Sequence, residues 1–135
     1  MDKEKTLKKL RFDPAARNLI LNAPDFYRSA LPADQFDDQI DQNKLGEYDF
    51  VQVFAVEQLK LEELVQMAKP AAKYDAVFWA CYPKGTGKIK SDIKRETVWE
   101  AFDKAGIRAV TAISIDETWS ALRARPHDAV GQKKG

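Results

Sequence analysis

The sequence AVFWACYPKGTGKIKSD, residues 76–92, decides the fold class of this chain. It starts with an apolar run that ends at Pro83 and continues into a segment with two glycines and three lysines. A helical pattern follows. A buried strand, a polar loop and a helix in this order are typical of the carboxyl edge of an α/β sheet, where ligands usually bind. The stretch therefore predicts where a site lies, but not which ligand it takes.

Strands and helices alternate on either side of this stretch. Apolar runs predict strands at residues 18–21 (NLIL), 50–56 (FVQVFAV) and 107–115 (IRAVTAISI), a short edge strand near 39–41, and an antiparallel last strand at 119–125. A short helix is expected at 24–31, and amphipathic spacing predicts helices around 61–68 and 98–105, the last capped by Ser91 or Asp92. Because such alternation implies right-handed βαβ units, we predict a three-layer α/β sandwich with a mostly parallel sheet and an antiparallel C-terminal strand.

The composition is that of one soluble domain. The chain has 135 residues, of which 44% are hydrophobic and 32% charged, enough to bury a core without disulfides. The net charge of +1 gives no reason to expect nucleic acid or a membrane as a partner. A single cysteine, Cys81, and an N-terminus without the apolar core of a signal peptide predict a cytoplasmic protein. We expect residues 1–9 and 126–135 to be flexible, with a helix as the alternative for the first segment.

The usual motifs of catalysis and cofactor binding are missing from the sequence. KGTGK is not a phosphate-binding P-loop, because Tyr82 stands at the position of the first glycine and Ile89 at that of the Ser or Thr. No glycine-rich turn follows the first strand, where NLILNAPDF stands. The one histidine, His127, lies in the predicted tail, which argues against a catalytic triad or an ordinary zinc site. From these residues we predict neither a metal nor a cofactor.

Candidate ligand-binding residues follow the predicted strands instead. If the strands are parallel, the segments after them meet along one edge of the sheet. Lys84, Thr86 and Lys88 beside a helix N-terminus can hold a phosphate or carboxylate, or they can form an ordinary soluble turn. Asp116 or Glu117 can act as a general acid or base, or cap a turn. The predicted ligand site consists of Asn22, Lys84, Thr86, Lys88, Asp116 and Trp119, the last as a pocket wall, a dimer contact or a core residue.

Charge is distributed unevenly along the chain. Residues 34–49 contain six acids and one base, whereas residues 84–95 contain five bases and one acid. The simplest interpretation is two solvated loops of opposite sign. Alternatively, the acidic segment of one subunit contacts the basic loop of another, which predicts a homodimer that dissociates at high salt.

Three segments, LILNAPDFY, FWACYPKGTGKIKSDI and AISIDETWSALR, together resemble a family of short bacterial proteins known only as a domain of unknown function. The resemblance spans about residues 10–123, and Asp-Glu-Thr-Trp-Ser is its most specific element. It implies a Rossmann-like fold similar to a shortened methyltransferase domain, with the final antiparallel strand beside residues 107–115. The family brings no substrate or catalytic residues, and this chain lacks the cofactor-binding glycines of methyltransferases at residues 21–25.

Two functions follow from these observations. The first is a non-catalytic or regulatory cytoplasmic module that binds a small anionic ligand or a protein partner at the carboxyl edge of the sheet. The second is a divergent methyltransferase-like enzyme that lacks the usual glycine-rich cofactor motif and uses Asp116 or Glu117 with Asn22. Binding of S-adenosylmethionine distinguishes the two.

Overall fold

The computed structural model describes residues 2–130 and arranges them as a five-stranded sheet with helices on both faces. The strands are β1 (Asn18–Leu21), β2 (Tyr48–Phe54), β3 (Ala72–Pro83), β4 (Ile107–Ser114) and β5 (Trp119–Pro126). The α-helices are α1 (Lys3–Leu10), α2 (Asp25–Arg28), α3 (Gln58–Ala68) and α4 (Arg95–Lys104). None of the helices in this part of the chain is long and apolar enough to cross a membrane.

The strand order is β1-β2-β3-β5-β4. Strands β1, β2 and β3 pair in parallel, whereas β5 is antiparallel to both of its neighbours, β3 and β4. Strand β4 therefore runs in the same direction as β1 to β3, and four carboxyl ends lie at one edge of the sheet. The predicted α/β class, the mostly parallel sheet and the antiparallel C-terminal strand are confirmed.

The sheet has a hydrophobic core on each face, which makes the three layers. On one face, α3 and α4 bury Leu61, Val65 and Phe102 against the strands. On the other, α1 and α2 contribute Leu10 and Tyr27 to a second buried cluster. This arrangement explains why β2 is buried along almost its whole length and reads as a continuous apolar run.

Strand β3 begins earlier than its apolar run predicts. Residues 73–76 form a bulge between the pairs Tyr48↔Ala72 and Phe50↔Val77, and Asp75 has a left-handed φ of 58°. The carboxylate of Asp75 accepts two hydrogen bonds from the Arg125 guanidinium, at 2.9 and 2.7 Å. The polar residues 73–76 are thus part of β3 because Arg125 on β5 fixes Asp75.

Most of the charged N-terminal lead is helical. The Asp2 side chain accepts a hydrogen bond from the Lys5 amide at the start of α1, at 3.2 Å, and the Trp79 indole donates one to the Leu10 carbonyl at its end, at 2.8 Å. Leu10 is fully buried. At the other end of the chain, residues 127–129 form a short 3₁₀ turn, and residues 131–135 of the expected flexible tail lie outside the described residues.

The acidic segment between α2 and β2 lies along the open side of β1. Asp37 and Leu19 form an isolated parallel bridge, in which the Ile20 amide donates to the Asp37 carbonyl at 2.9 Å and the Asp37 amide to the Asn18 carbonyl at 2.8 Å. The edge strand predicted near residues 39–41 is therefore wrong in position and length. A single bridge forms at Asp37 because the chain turns away beyond it.

Candidate functional site

Asn22 joins the carboxyl ends of β1 and β2. Its φ of 62° places it in the left-handed region, which asparagine tolerates better than most residues. Its side-chain amide donates to the Phe54 carbonyl, at 2.9 Å. The predicted site residue therefore lies at the expected edge, but its N–H group stabilises the turn.

The predicted basic loop begins with a turn, in which the Gly87 amide donates to the Lys84 carbonyl at 3.0 Å, and it lies several residues before the start of α4. The Lys84 ammonium donates to the Ser114 hydroxyl at 2.7 Å, while Thr86 and Lys88 are exposed. Helix α4 begins only at Arg95, after an N-cap at Lys94. The loop therefore lacks the adjacent helix N-terminus that the phosphate hypothesis invoked.

The expected capping residues of α4 serve other elements. The Asp92 carboxylate accepts from the Gln58 amide at 2.8 Å, which places it at the first turn of α3. The Ser91 hydroxyl donates to the Val56 carbonyl, at 2.6 Å. The prediction that either residue caps α4 is therefore wrong. Ser91 therefore connects the loop after β3 to the segment after β2, and Asp92 connects it to the start of α3.

Asp116 and Trp119 form the hairpin between β4 and β5. One oxygen of the Asp116 carboxylate accepts from the amides of Thr118 and Trp119, each at 2.8 Å. The Trp119 ring is only 5% exposed and packs edge-to-face on Phe54, with ring centroids 5.4 Å apart. In this geometry Trp119 is a core residue and Asp116 is a turn cap, whereas Glu117 is exposed.

Two of the six predicted site residues line one groove, which has a volume of about 540 Å³ and lies between α1 and the β4–β5 hairpin. Lys84 and Asp116 contribute to it, together with Lys5 and Lys9 of α1. Asn22 lines a different groove, and Thr86 and Lys88 are not among the residues that line either. The structure therefore divides the predicted site.

The groove at Asn22 lies between the end of β1, residues 38–42 and helix α3, with a volume of about 460 Å³. This volume is in the range of small-molecule sites, about 300–1,000 Å³. Asp38 and Gln39 supply polar groups, and Leu64 and Met67 supply apolar surface. A second depression of about 520 Å³ adjoins it and shares Asp38 and Gln39. The sequence analysis missed these residues, because only the acidic run at 34–49 marked them.

A buried tyrosine fixes two acids, Asp37 and Asp41, that line the adjoining depression. The Tyr48 hydroxyl donates to the Asp37 carboxylate at 2.5 Å and accepts from the Asp41 amide at 3.1 Å. The Lys44 ammonium donates to the same Asp37 oxygen at 2.9 Å. Burial and the bond to Asp37 raise the pKa of Tyr48 to about 12. Burial also opposes the charge of Asp37, but the bonds from Tyr48 and Lys44 outweigh it and lower the pKa of that carboxyl.

Cys81 near the carboxyl end of β3 is not placed as a nucleophile, and no metal centre accompanies it within residues 2–130. Cys81 is fully buried, and burial raises the pKa of its thiol to about 12. It accepts a hydrogen bond from the Gln52 amide at 3.3 Å, in a core that also buries Tyr27. Within residues 2–130, no three His, Cys, Asp or Glu side chains gather as a metal ion would require.

The fold is similar to that of S-adenosylmethionine-dependent methyltransferases. The chain matches a SAM-dependent methyltransferase from Aquifex aeolicus with a TM-score of 0.59 and 15% identity, over 91% of this chain and 88% of that one. It matches a putative type 11 methyltransferase from Sulfolobus solfataricus with a TM-score of 0.60 and 10% identity, over 93% and 92%. The magnesium protoporphyrin IX methyltransferase ChlM from Synechocystis, solved with bound SAH, gives 0.58 and 10%, over 92% and 83%. At these identities the likeness shows the fold alone.

No family model and no curated protein matches the sequence. The resemblance to a bacterial family of unknown function therefore stays a prediction, while the methyltransferase-like fold that it implied is confirmed.

Proposed function

We propose that the protein binds an adenosyl ligand of the S-adenosylmethionine class in the groove beside Asn22, as a divergent methyltransferase-like protein. The observation that carries the proposal is the position of this groove. It opens at the carboxyl end of β1, in a fold shared with methyltransferases, one of which was solved with bound SAH. Ligands of open α/β sheets bind outside the carboxyl ends of the strands.

The chemistry of the groove suits a nucleoside. The carboxylate of Asp38 and the amide of Gln39 are hydrogen-bonding partners for ribose hydroxyls and base nitrogens. Leu64 and the half-exposed Met67 offer apolar, polarizable surface to the flat base. When bound, the cofactor itself supplies a methyl group on a sulfonium centre.

The turn after β1 limits how the rest of such a ligand is held. Pro24 has no N–H group, α2 has only four residues, and the Asn22 amide is already bonded to Phe54. This turn therefore offers few backbone donors to the ligand. The protein would therefore recognise such a ligand chiefly through its nucleoside half.

Binding is tested by isothermal titration and thermal unfolding with S-adenosylmethionine, its demethylated product and adenosine. At 100 times the dissociation constant, a ligand stabilises the fold by about 2.7 kcal/mol. Asp38→Asn should weaken binding about ten-fold or more, since it removes the charged acceptor. Asp34→Asn, an exposed acid that does not line either groove, is the matched control. Absence of a response to all three compounds at millimolar concentration would refute the proposal.

A second candidate function is a non-catalytic module that binds a small anion in the groove between α1 and the β4–β5 hairpin. Three lysines, Lys5, Lys9 and Lys84, line that groove, and so do three acids, Asp2, Asp116 and Glu117. The Asp116 carboxylate already accepts two backbone hydrogen bonds in the hairpin. Phosphate- or carboxylate-induced stabilisation should be lost in Lys84→Ala and retained in Lys88→Ala, because Lys88 lies outside it. Equal loss in both variants would favour the contiguous basic loop of the sequence hypothesis instead.

A homodimer through the acidic segment remains a weaker proposal, because several of its acids already have partners in the chain. Asp37 pairs with Lys44, Asp49 with Lys73, and Glu47 with Arg17. Sedimentation at low and high salt tests it, and a monomer at low salt would rule it out.

A further inference from the structure

Arginines gather on the sheet face that carries α1, at the end away from the carboxyl edge. Arg123 and Arg125 follow Trp119 and Ala121 at every second position of β5, and those two residues belong to the core under α1. Arg123 and Arg125 therefore point to the same face. Arg108 lies directly opposite Arg125 on the edge strand β4, where it also borders Trp99 and Asp103 of α4.

The end of α1 brings another guanidinium to the same place. Trp79 is paired with Arg123 across β3 and β5, and its indole holds the Leu10 carbonyl at 2.8 Å. Arg11 follows immediately, with a φ of 64° that ends the helix. Burial, followed by the charges of Arg11 and Arg125, lowers the pKa of Arg123. We call Arg11, Arg108, Arg123 and Arg125 the arginine cluster.

The cluster is not neutralised within the described part of the chain. Asp75 pairs with Arg125, at 2.7 and 2.9 Å. Among residues 2–130, Arg11, Arg108 and Arg123 form no ion pair, and the Nε of Arg123 is buried without a hydrogen-bond partner. Like charges directly opposite on neighbouring strands are destabilising, and buried polar groups normally have partners. The cluster therefore carries positive charge that no acid among residues 2–130 neutralises, and an anion would compensate it.

We propose that the arginine cluster binds a phosphate-bearing small molecule. Guanidinium groups hold phosphate oxygens through paired, charge-assisted hydrogen bonds, and several guanidiniums match an anion with more than one negative charge. A phosphate would accept hydrogen bonds from the guanidinium groups of the cluster and reduce the repulsion of Arg123 by Arg11 and Arg125. The site lies at the opposite end of the strands from the adenosyl groove and does not depend on it.

Inorganic triphosphate is the probe, titrated calorimetrically at about 0.15 M salt, with orthophosphate and a short single-stranded oligonucleotide for comparison. We expect saturable binding of one triphosphate per chain, weaker binding of orthophosphate, and no tighter binding of the oligonucleotide. Tight oligonucleotide binding that covers several sites would overturn the proposal in favour of a nucleic-acid surface.

Variants locate the site. Arg123→Gln and Arg108→Gln should each weaken triphosphate binding about ten-fold or more, whereas Arg95→Gln, an exposed arginine on α4, should leave it unchanged. Without ligand, Arg108→Gln should melt at about the same temperature as the unsubstituted protein, because Arg108 is exposed. Binding that survives both cluster substitutions, or that Arg95→Gln weakens equally, would refute the assignment.

Discussion

Tyr48 offers a direct test of how the acidic segment is held beside β1, and we predict that Tyr48→Phe lowers the free energy of unfolding by about 2 kcal/mol. The ring is fully buried and phenylalanine keeps its packing, so the change removes the hydroxyl alone. That hydroxyl donates to the Asp37 carboxylate and accepts from the Asp41 amide. A hydrogen bond to a charged group contributes about 1.5–3 kcal/mol and a neutral one about 0.5–1.5.

The estimate lies near the lower end of that sum, because the Asp37 side chain is 29% exposed and water replaces part of the lost bonding. For a chain of this size, 2 kcal/mol corresponds to a fall in melting temperature of about 8 °C. The amides of Asp37 and Ile20 form the bridge between the acidic segment and β1, and they should lose much of their protection from hydrogen exchange.

The matched control is Tyr74→Phe. The Tyr74 hydroxyl also donates to a carboxylate, that of Asp128 at 2.8 Å, but the residue is 70% exposed, so we expect a change within about 0.5 kcal/mol. Urea unfolding of both variants decides the matter. Equal effects in the two variants would refute the assignment of stability to the buried network.

The pH dependence of the Tyr48→Phe deficit provides a second check. The folded-state pKa of Asp37 lies below its ordinary value, so its contribution is present above about pH 4 and is lost as the pH falls through the folded pKa. The deficit of the variant should therefore shrink below about pH 4. A deficit of constant size down to pH 3 would contradict this origin.

Three further predictions concern other parts of the fold. Asp75→Asn should lower the free energy of unfolding by about 1 kcal/mol at neutral pH, because Arg125 lowers the pKa of Asp75 through their paired hydrogen bonds. This cost should shrink as the pH falls below about 4 and through the folded pKa. An unchanged urea midpoint at pH 7 would contradict this. Trp79→Phe should lower the free energy of unfolding by about 2 kcal/mol, since it removes the hydrogen bond to the Leu10 carbonyl and leaves a gap in the core. The amides of α1 should then exchange faster with solvent. Protection of α1 equal to that of the unsubstituted protein would count against this prediction. Cys81 should resist thiol reagents at pH 8 until the protein is unfolded, because burial raises its pKa to about 12; rapid labelling of the native protein would show that this core opens.

Local patterns were sufficient to predict the elements that bury a regular face. The run NLIL became β1, and the apolar residues around Leu61 and Val98 became the buried faces of α3 and α4. Each of these depends on side-chain periodicity within a few residues, which the sequence displays directly. Polar segments were predicted less well, because their conformation is set by partners elsewhere: the bridge at Asp37 needs β1, and the early start of β3 needs Arg125.

The sequence by itself determined the α/β class, the mostly parallel sheet and the edge where strand ends meet, since hydrophobic burial imposes those from local spacing. Only the tertiary structure decided that β5 lies between β3 and β4, that Asp92 caps α3, and that Asn22 and Lys84 line separate grooves. The physical reason is the range of the interactions. The bond from Gln58 to Asp92 joins residues 34 positions apart, and no periodicity in the chain encodes such a pairing.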